Sequence, residues 1–292
     1  MSSILIKNAT IIDPNSTHNN MVKDIFISNG FIKKIDTDIK ISNENHIVIS
    51  EDNLHASPGL MDFSVDFSEP GDEQKETLIS GCRAALAGGF TALGIQPTFH
   101  PPRDNKGAVN YVTNSVKELG INAIPYGALS KGLNGEQLSD MYEMYNAGAK
   151  AFTDHTKPIK HAGLLSRAIL YAKNFNGLII SFPHDQSISP KGLMHEGKTS
   201  TLLGLEGIPS LSEELFIERD IAINKYNEGR LHFNIISSQK SISSIAKAKK
   251  QNEQIDRYAS SLSLYSLETS LIAFIVVDST QGINFEDMRL IN

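Results

Sequence analysis

The side chains best placed to do chemistry in this sequence are two acid–histidine pairs, Asp154-His155 and His184-Asp185. Each follows a short apolar stretch that reads as a β-strand, and the loops after barrel strands are where α/β barrels hold their chemistry. Carboxylates and imidazoles are the usual protein ligands of a hydrolytic metal ion. Spacing alone does not make the case for one. The nine histidines are scattered at 18, 46, 55, 100, 155, 161, 184, 195 and 232, with no His-x-His or His-Glu-x-x-His among them. A scattered histidine is most often a surface residue or a satisfied core residue. No glycine-rich phosphate loop is present, and Gly88-Gly89 follows a helical segment, so it reads as a helix stop. Cys82 is the only cysteine, which excludes an intrachain disulfide and fits a reducing compartment.

The elements that must position these residues fall into two patterns. Ile4–Ile6, Ile25–Ile27 and Phe31–Ile35 read as short strands separated by the turn signals Asp13-Pro14-Asn15 and Asn29-Gly30. From Pro58-Gly59 onward, strands alternate with helices. The strands are expected at 59–66, 90–96, 122–129, 149–154, 178–182 and 231–236. The helices are expected at 73–87, from Val109 to Leu119, from Leu138 to Tyr145, from Leu164 to Ala172, at 213–226 and at 242–249. Six strand–helix units favour a parallel sheet, open or closed into a barrel, and periodicity does not choose between these. About 40 residues follow Lys250, which is short for two further units.

Residues 58–71, Pro-Gly-Leu-Met-Asp-Phe-Ser-Val-Asp-Phe-Ser-Glu-Pro-Gly, change the question. They resemble the dihydroorotase signature Pro-Gly-Leu-Ile-Asp-x-His-Val-His-x-Arg-Glu-Pro-Gly of the amidohydrolase superfamily. The resemblance puts Ser64 and Asp66 at the two metal-binding histidines and Ser68 at the substrate-gripping arginine. It continues through Lys75–Thr91, and at Gln96-Pro97-Thr98 it puts Thr98 at a substrate-binding asparagine. Ala151-Phe152-Thr153-Asp154 matches a segment whose aspartate can be a metal ligand, so Asp154 remains. Phe182 and Ile235 stand at the third and fourth metal histidines. Glu196–Asp220 is the most specific match of all.

The resemblance implies an α/β fold: a metal-hydrolase-type (β/α)8 TIM barrel plus a small β-sandwich formed by N- and C-terminal strands. The sandwich would take residues 1–57 and 270–292, with Phe274–Val277 joining the N-terminal strands. The barrel would take residues 58–269, without a counterpart for strands seven and eight near residue 255.

The physics of the replacements decides the functional expectation. Residues i and i+2 of a strand face the same way, which lets His-x-His grip one ion. Serine is a poor zinc ligand and aspartate a passable one, while phenylalanine and isoleucine have no donor atom. Losing the arginine removes the bidentate clamp for a carboxylate substrate. The expectation is therefore a pseudoenzyme of the pyrimidine biosynthesis family, with no cofactor and a structural or assembly role. The alternative is an active cyclic-amide hydrolase with a rebuilt zinc site drawing on Asp66, Asp154, His155 or His184. In the first case Phe182 and Ile235 would fill the former metal cavity, and local hydrogen bonds would hold Asp66 and Asp154. The family resemblance suggests aspartate carbamoyltransferase or a second copy of the chain as partner. A net charge of −6 without a basic block argues against nucleic acid. The absence of an apolar run long enough to span a bilayer points to a soluble, cytoplasmic protein.

Overall fold

A computed structural model of the protein describes residues 3–41 and 46–251. The N-terminal strands β1 (Ser3–Ile11), β2 (Val22–Ser28), β3 (Phe31–Asp36), β4 (His46–Ile49) and β5 (His55–Ala56) form one sheet. Its order is β3-β2-β1-β4, with β5 also pairing β1. Asn29 and Gly30 both take positive φ, 55° and 79°, the backbone that a tight hairpin between β2 and β3 requires. Ile6, Ala9, Ile25 and Ala56 form the sheet's own apolar core. The second layer expected of a sandwich needs Phe274–Val277, which lies outside the described residues, as do the whole of 270–292 and the break near 255. The described part is a single sheet.

A buried ion pair fixes that sheet to its neighbouring loop. Asp24 on β2 accepts from Lys7 Nζ (2.6 Å), Asn8 N (3.0 Å) and Ile39 N (2.9 Å). Burial alone would raise the Asp24 carboxyl, but the Lys7 ammonium and the two amides outweigh it and hold it below the ordinary aspartate value. A carboxylate with a lowered folded pKa stabilises the protein above its unfolded pKa, and that contribution is lost as pH falls through the folded one. Asp24→Asn is therefore expected to cost about 1–2 kcal/mol at neutral pH, and the cost should shrink as pH falls through the folded value. Urea unfolding at neutral and at acidic pH checks this, and equal losses at both would contradict it.

The second part begins at β6 (Leu60–Val65) and alternates strands with helices. In chain order these are α1 (Leu78–Ala87), β7 (Phe90–Ile95), α2 (Lys106–Val116), β8 (Asn122–Pro125), α3 (Met141–Asn146), β9 (Ala151–Phe152), α4 (Ala162–Lys173) and β10 (Leu178–Ser181). There follow β11 (Met194–His195), α5 (Lys198–Leu203), β12 (Gly207–Ile208), α6 (Leu211–Asn227), β13 (Leu231–Phe233) and α7 (Gln239–Gln251). Strands β6-β7-β8 form one parallel sheet, and β9, β10 and β13 another in the order β13-β10-β9. A parallel bridge between Gly127 and Phe152 joins the two. The six strands thus follow one another in sequence order, with helices between them, as a barrel wall does.

Of the expected (β/α)8 barrel, closure is not formed among the described residues. The described residues form a mixed α/β fold in which the wall runs from β6 to β13 and does not close. Among them no helix is long and apolar enough to cross a membrane. Helix α1 starts at Leu78 rather than Glu73. The reason is local: the Thr77 hydroxyl accepts from Ser80 N, and Glu69 accepts from Leu78 N (2.6 Å), so the first turn is capped at Thr77. The core lies between helices and strands. Leu78, Cys82, Leu93 and Val112 fill one half, and Met141, Phe152, Leu165 and Ile179 the other.

Candidate functional site

The residues singled out in the sequence lie at the C-terminal ends of the wall strands. At the end of β6, Ser64 and Asp66 are exposed. Gln96, just past β7, is buried and donates from Nε2 to Ser64 Oγ at 3.1 Å. Thr98 donates from Oγ1 to Asp66 at 2.6 Å, and Ser68 N donates to the same carboxylate at 3.2 Å. The two positions therefore satisfy one another: Asp66 is held by Thr98. Ser68 has φ +57°, an unfavoured backbone for a residue with a side chain.

Beneath this cluster lies a cation that sequence reasoning missed. Arg103 is fully buried, with its guanidinium stacked 4.2 Å from the Phe99 ring centre. Nη1 donates to the carbonyls of Ile95 (3.0 Å) and Tyr126 (2.8 Å), at the ends of β7 and just past β8. Burial pushes the guanidinium down to about 9, and the Asp66 charge opposes that shift. Arg103 sits in an irregular loop after two prolines, where no periodicity marks a residue as interior.

At the end of β9, Asp154 is 2% exposed. It accepts from Leu129 N (3.0 Å), Ser130 N (2.9 Å) and the Ser130 hydroxyl. Burial raises its pKa above the ordinary aspartate value, while the Ser130 and Leu129 bonds and the Lys157 charge hold it back. His155 is half-buried, with φ +57° and a buried Nδ1 that has no hydrogen-bond partner among the described residues. Burial lowers its pKa, favouring the neutral ring, and the Asp66 charge opposes this.

Phe182, past the end of β10, is half-buried, its ring centre 5.8 Å from that of His184. Ile235, past β13, does not fill a cavity as expected: it is 56% exposed, again with φ +57°. Among the described residues no three His, Cys, Asp or Glu side chains come together as a metal-holding group, so Asp66, Asp154, His155 and His184 are not assembled into one.

The segment Glu196–Asp220 has a structural task at this end of the wall. Glu213 and Asp220 lie seven residues apart on α6, hence on one face. Glu213 accepts from Ser237 N (2.9 Å), Ser237 Oγ (2.6 Å) and Ser238 N (2.9 Å), fixing the loop after β13. Asp220 accepts from Ser181 Oγ (2.6 Å) on β10 and from Arg219. Two helix carboxylates thus anchor the ends of two neighbouring strands.

A profile described as "Dihydro-orotase-like" matches residues 55–241. The chain is 39% identical over 253 residues to the dihydroorotase of Acetivibrio thermocellus, covering 86% of this chain and 59% of that protein. It is 36% identical to the dihydroorotase of Thermoanaerobacter sp., covering 86% and 58%. It thus spans about three fifths of the length of these curated relatives. Among solved structures, the L-hydantoinase (dihydropyrimidinase) from Arthrobacter aurescens shares the fold with a TM-score of 0.69 at 18% identity, over 87% of this chain and 57% of that one. A D-hydantoinase does so with a TM-score of 0.66 at 17% identity, over 86% and 56%.

Proposed function

The chain belongs to the dihydroorotase-like family, and from that premise we propose that it is a non-catalytic member, a pseudoenzyme whose scaffold serves assembly. The observation that carries this reading is the character of the mouth. Ser64 is engaged by Gln96, Asp66 by Thr98, and Asp154 by three donors of the Leu129–Ser130 turn. Phe182 and Ile235 offer no donor atom. A zinc ion needs three or four convergent ligands with free lone pairs. His155 Nδ1 is the one buried ring nitrogen here without a partner among the described residues, so the residues present do not suit zinc. The reading makes aspartate carbamoyltransferase or a second copy of the chain the natural partner to test, in a cytoplasmic setting.

The identity to proteins named dihydroorotase favours a second reading only weakly. In it the chain hydrolyses a cyclic amide such as dihydroorotate at a rebuilt metal site. Metal analysis and dihydroorotate hydrolysis on the purified protein decide between the two. The expected result is background zinc and no turnover. The double replacement Ser64→His and Asp66→His is expected to leave both unchanged, because Phe182 and Ile235 still withhold half the ligand set. Stoichiometric zinc or hydrolysis in either protein would overturn the proposal.

A further inference from the structure

We propose that the hollow beside Asp154 binds a small dianion bearing carboxylate or phosphate oxygens. The cavity measures about 350 Å³ and is lined by Asn134, Asp154, Lys157, Lys160, His161 and Gln186, among others. That volume lies at the lower end of small-molecule sites. Both of its walls are tied to the same residue, Asp154. On one side, Ser130 bonds Asp154 through its amide and hydroxyl, and Gly135 N donates to Ser130 Oγ at 2.8 Å. On the other side, Lys157 N donates to the Asp154 carbonyl at 3.1 Å. Pro158 and Ile159 are buried, and Arg219 clamps this loop from behind, donating to the carbonyls of Ile159 (2.8 Å) and Lys160 (3.1 Å). The backbone carrying Lys157, Lys160 and His161 is therefore fixed around an opening.

The charge balance of the hollow favours an anion. Neither Lys157 nor Lys160 enters any of the ion pairs formed among the described residues. Two carboxylates oppose them. Glu136 is exposed on the rim. Asp154 forms part of the lining, but its oxygens are already taken by three donors. Two ammonium groups three residues apart, beside the His161 imidazole and the Asn134 and Gln186 amides, suit a compact ligand with several oxygens. Of the candidate metal positions only Asp154 lines the hollow, and the anion is held by the lysines rather than by it, so the site does not depend on the non-catalytic reading.

Calorimetric titration of the whole chain with inorganic phosphate and with succinate, at low salt and in the presence of a chelator, tests the proposal. Saturable binding of at least one probe is expected. Lys157→Gln and Lys160→Gln should each weaken it about tenfold, and together abolish it. Lys225→Gln, on the exposed side of α6, should leave it unchanged. The probe that binds more tightly identifies the preferred oxyanion. No binding of either probe, or equal binding by the double variant with its circular dichroism intact, would overturn the proposal. Binding that appears only with added zinc would overturn it too, and would also count against the metal-free reading.

Discussion

Asp154→Ala is expected to lose about 4 kcal/mol of stability, most of what a marginally stable domain can spare. The carboxylate is buried and receives two backbone amides and a hydroxyl from Leu129 and Ser130. Alanine leaves all three buried donors without their partner, and each orphaned donor costs on the order of 1–3 kcal/mol. Asp154→Asn keeps the shape and one acceptor, so its loss should be smaller, about 1–2 kcal/mol at neutral pH. The pH dependence separates charge from packing. Because the folded pKa is raised, the wild type binds its proton more tightly folded than unfolded. The resulting stabilisation is complete below the unfolded value and is lost as pH rises through the folded one. Over that window the wild type should lose stability relative to Asp154→Asn. Urea midpoints of the three proteins from pH 4 to 7 measure this. An alanine variant as stable as the asparagine variant would show that the turn finds other partners.

Gly94→Ala should cost about 3 kcal/mol, the upper range for overpacking a core. Gly94 lies in β7, and a methyl group there would meet the Tyr126 hydroxyl and stand 2.7 Å from the Phe63 carbonyl oxygen. Tyr126 is held among Ile124, Ala151, Leu178 and Ile180, and Phe63 lies within strand β6, so neither obstacle is a loose side-chain end. The strand must shift, and with it the carbonyl of Ile95 that Arg103 binds. Thermal unfolding reads the loss directly. A change below about 1 kcal/mol would mean that Tyr126 can swing aside.

Much of the order of strands and helices could be read from the sequence because strands such as β10 carry a continuous apolar stretch and helices such as α4 an apolar stripe, whereas the buried face of α6 is mostly polar. Leu164, Leu165, Ala168 and Ala172, picked out at helical spacing, are all buried in α4. Elements without such a pattern were not legible. The two-residue strands β11 and β12 and the one-and-a-half-turn helix α5 are too short to show a period. The site was legible as positions, since strand ends follow from strand register, but not as contacts. That Thr98 would hold Asp66, and Ser130 would hold Asp154, depends on chain segments 32 and 24 residues apart meeting in space. The exposure of Ile235 was missed because apolar residues tend inward without being bound to do so. Barrel closure was inferred from kinship rather than from any pattern in the chain, and the described residues do not form it.

Ser68, His155 and Ile235 all occupy the left-handed backbone region, one after β6, one after β9 and one after β13. For a residue with a side chain that conformation costs roughly 1–2 kcal/mol, and a β-branched residue such as isoleucine tolerates it worst. Nothing the isoleucine does repays the cost, since its side chain faces solvent. The path of the main chain at these three corners is therefore set by the wall and not by the side chains it carries: each bend is a joint at which a strand end turns into the loop that follows it.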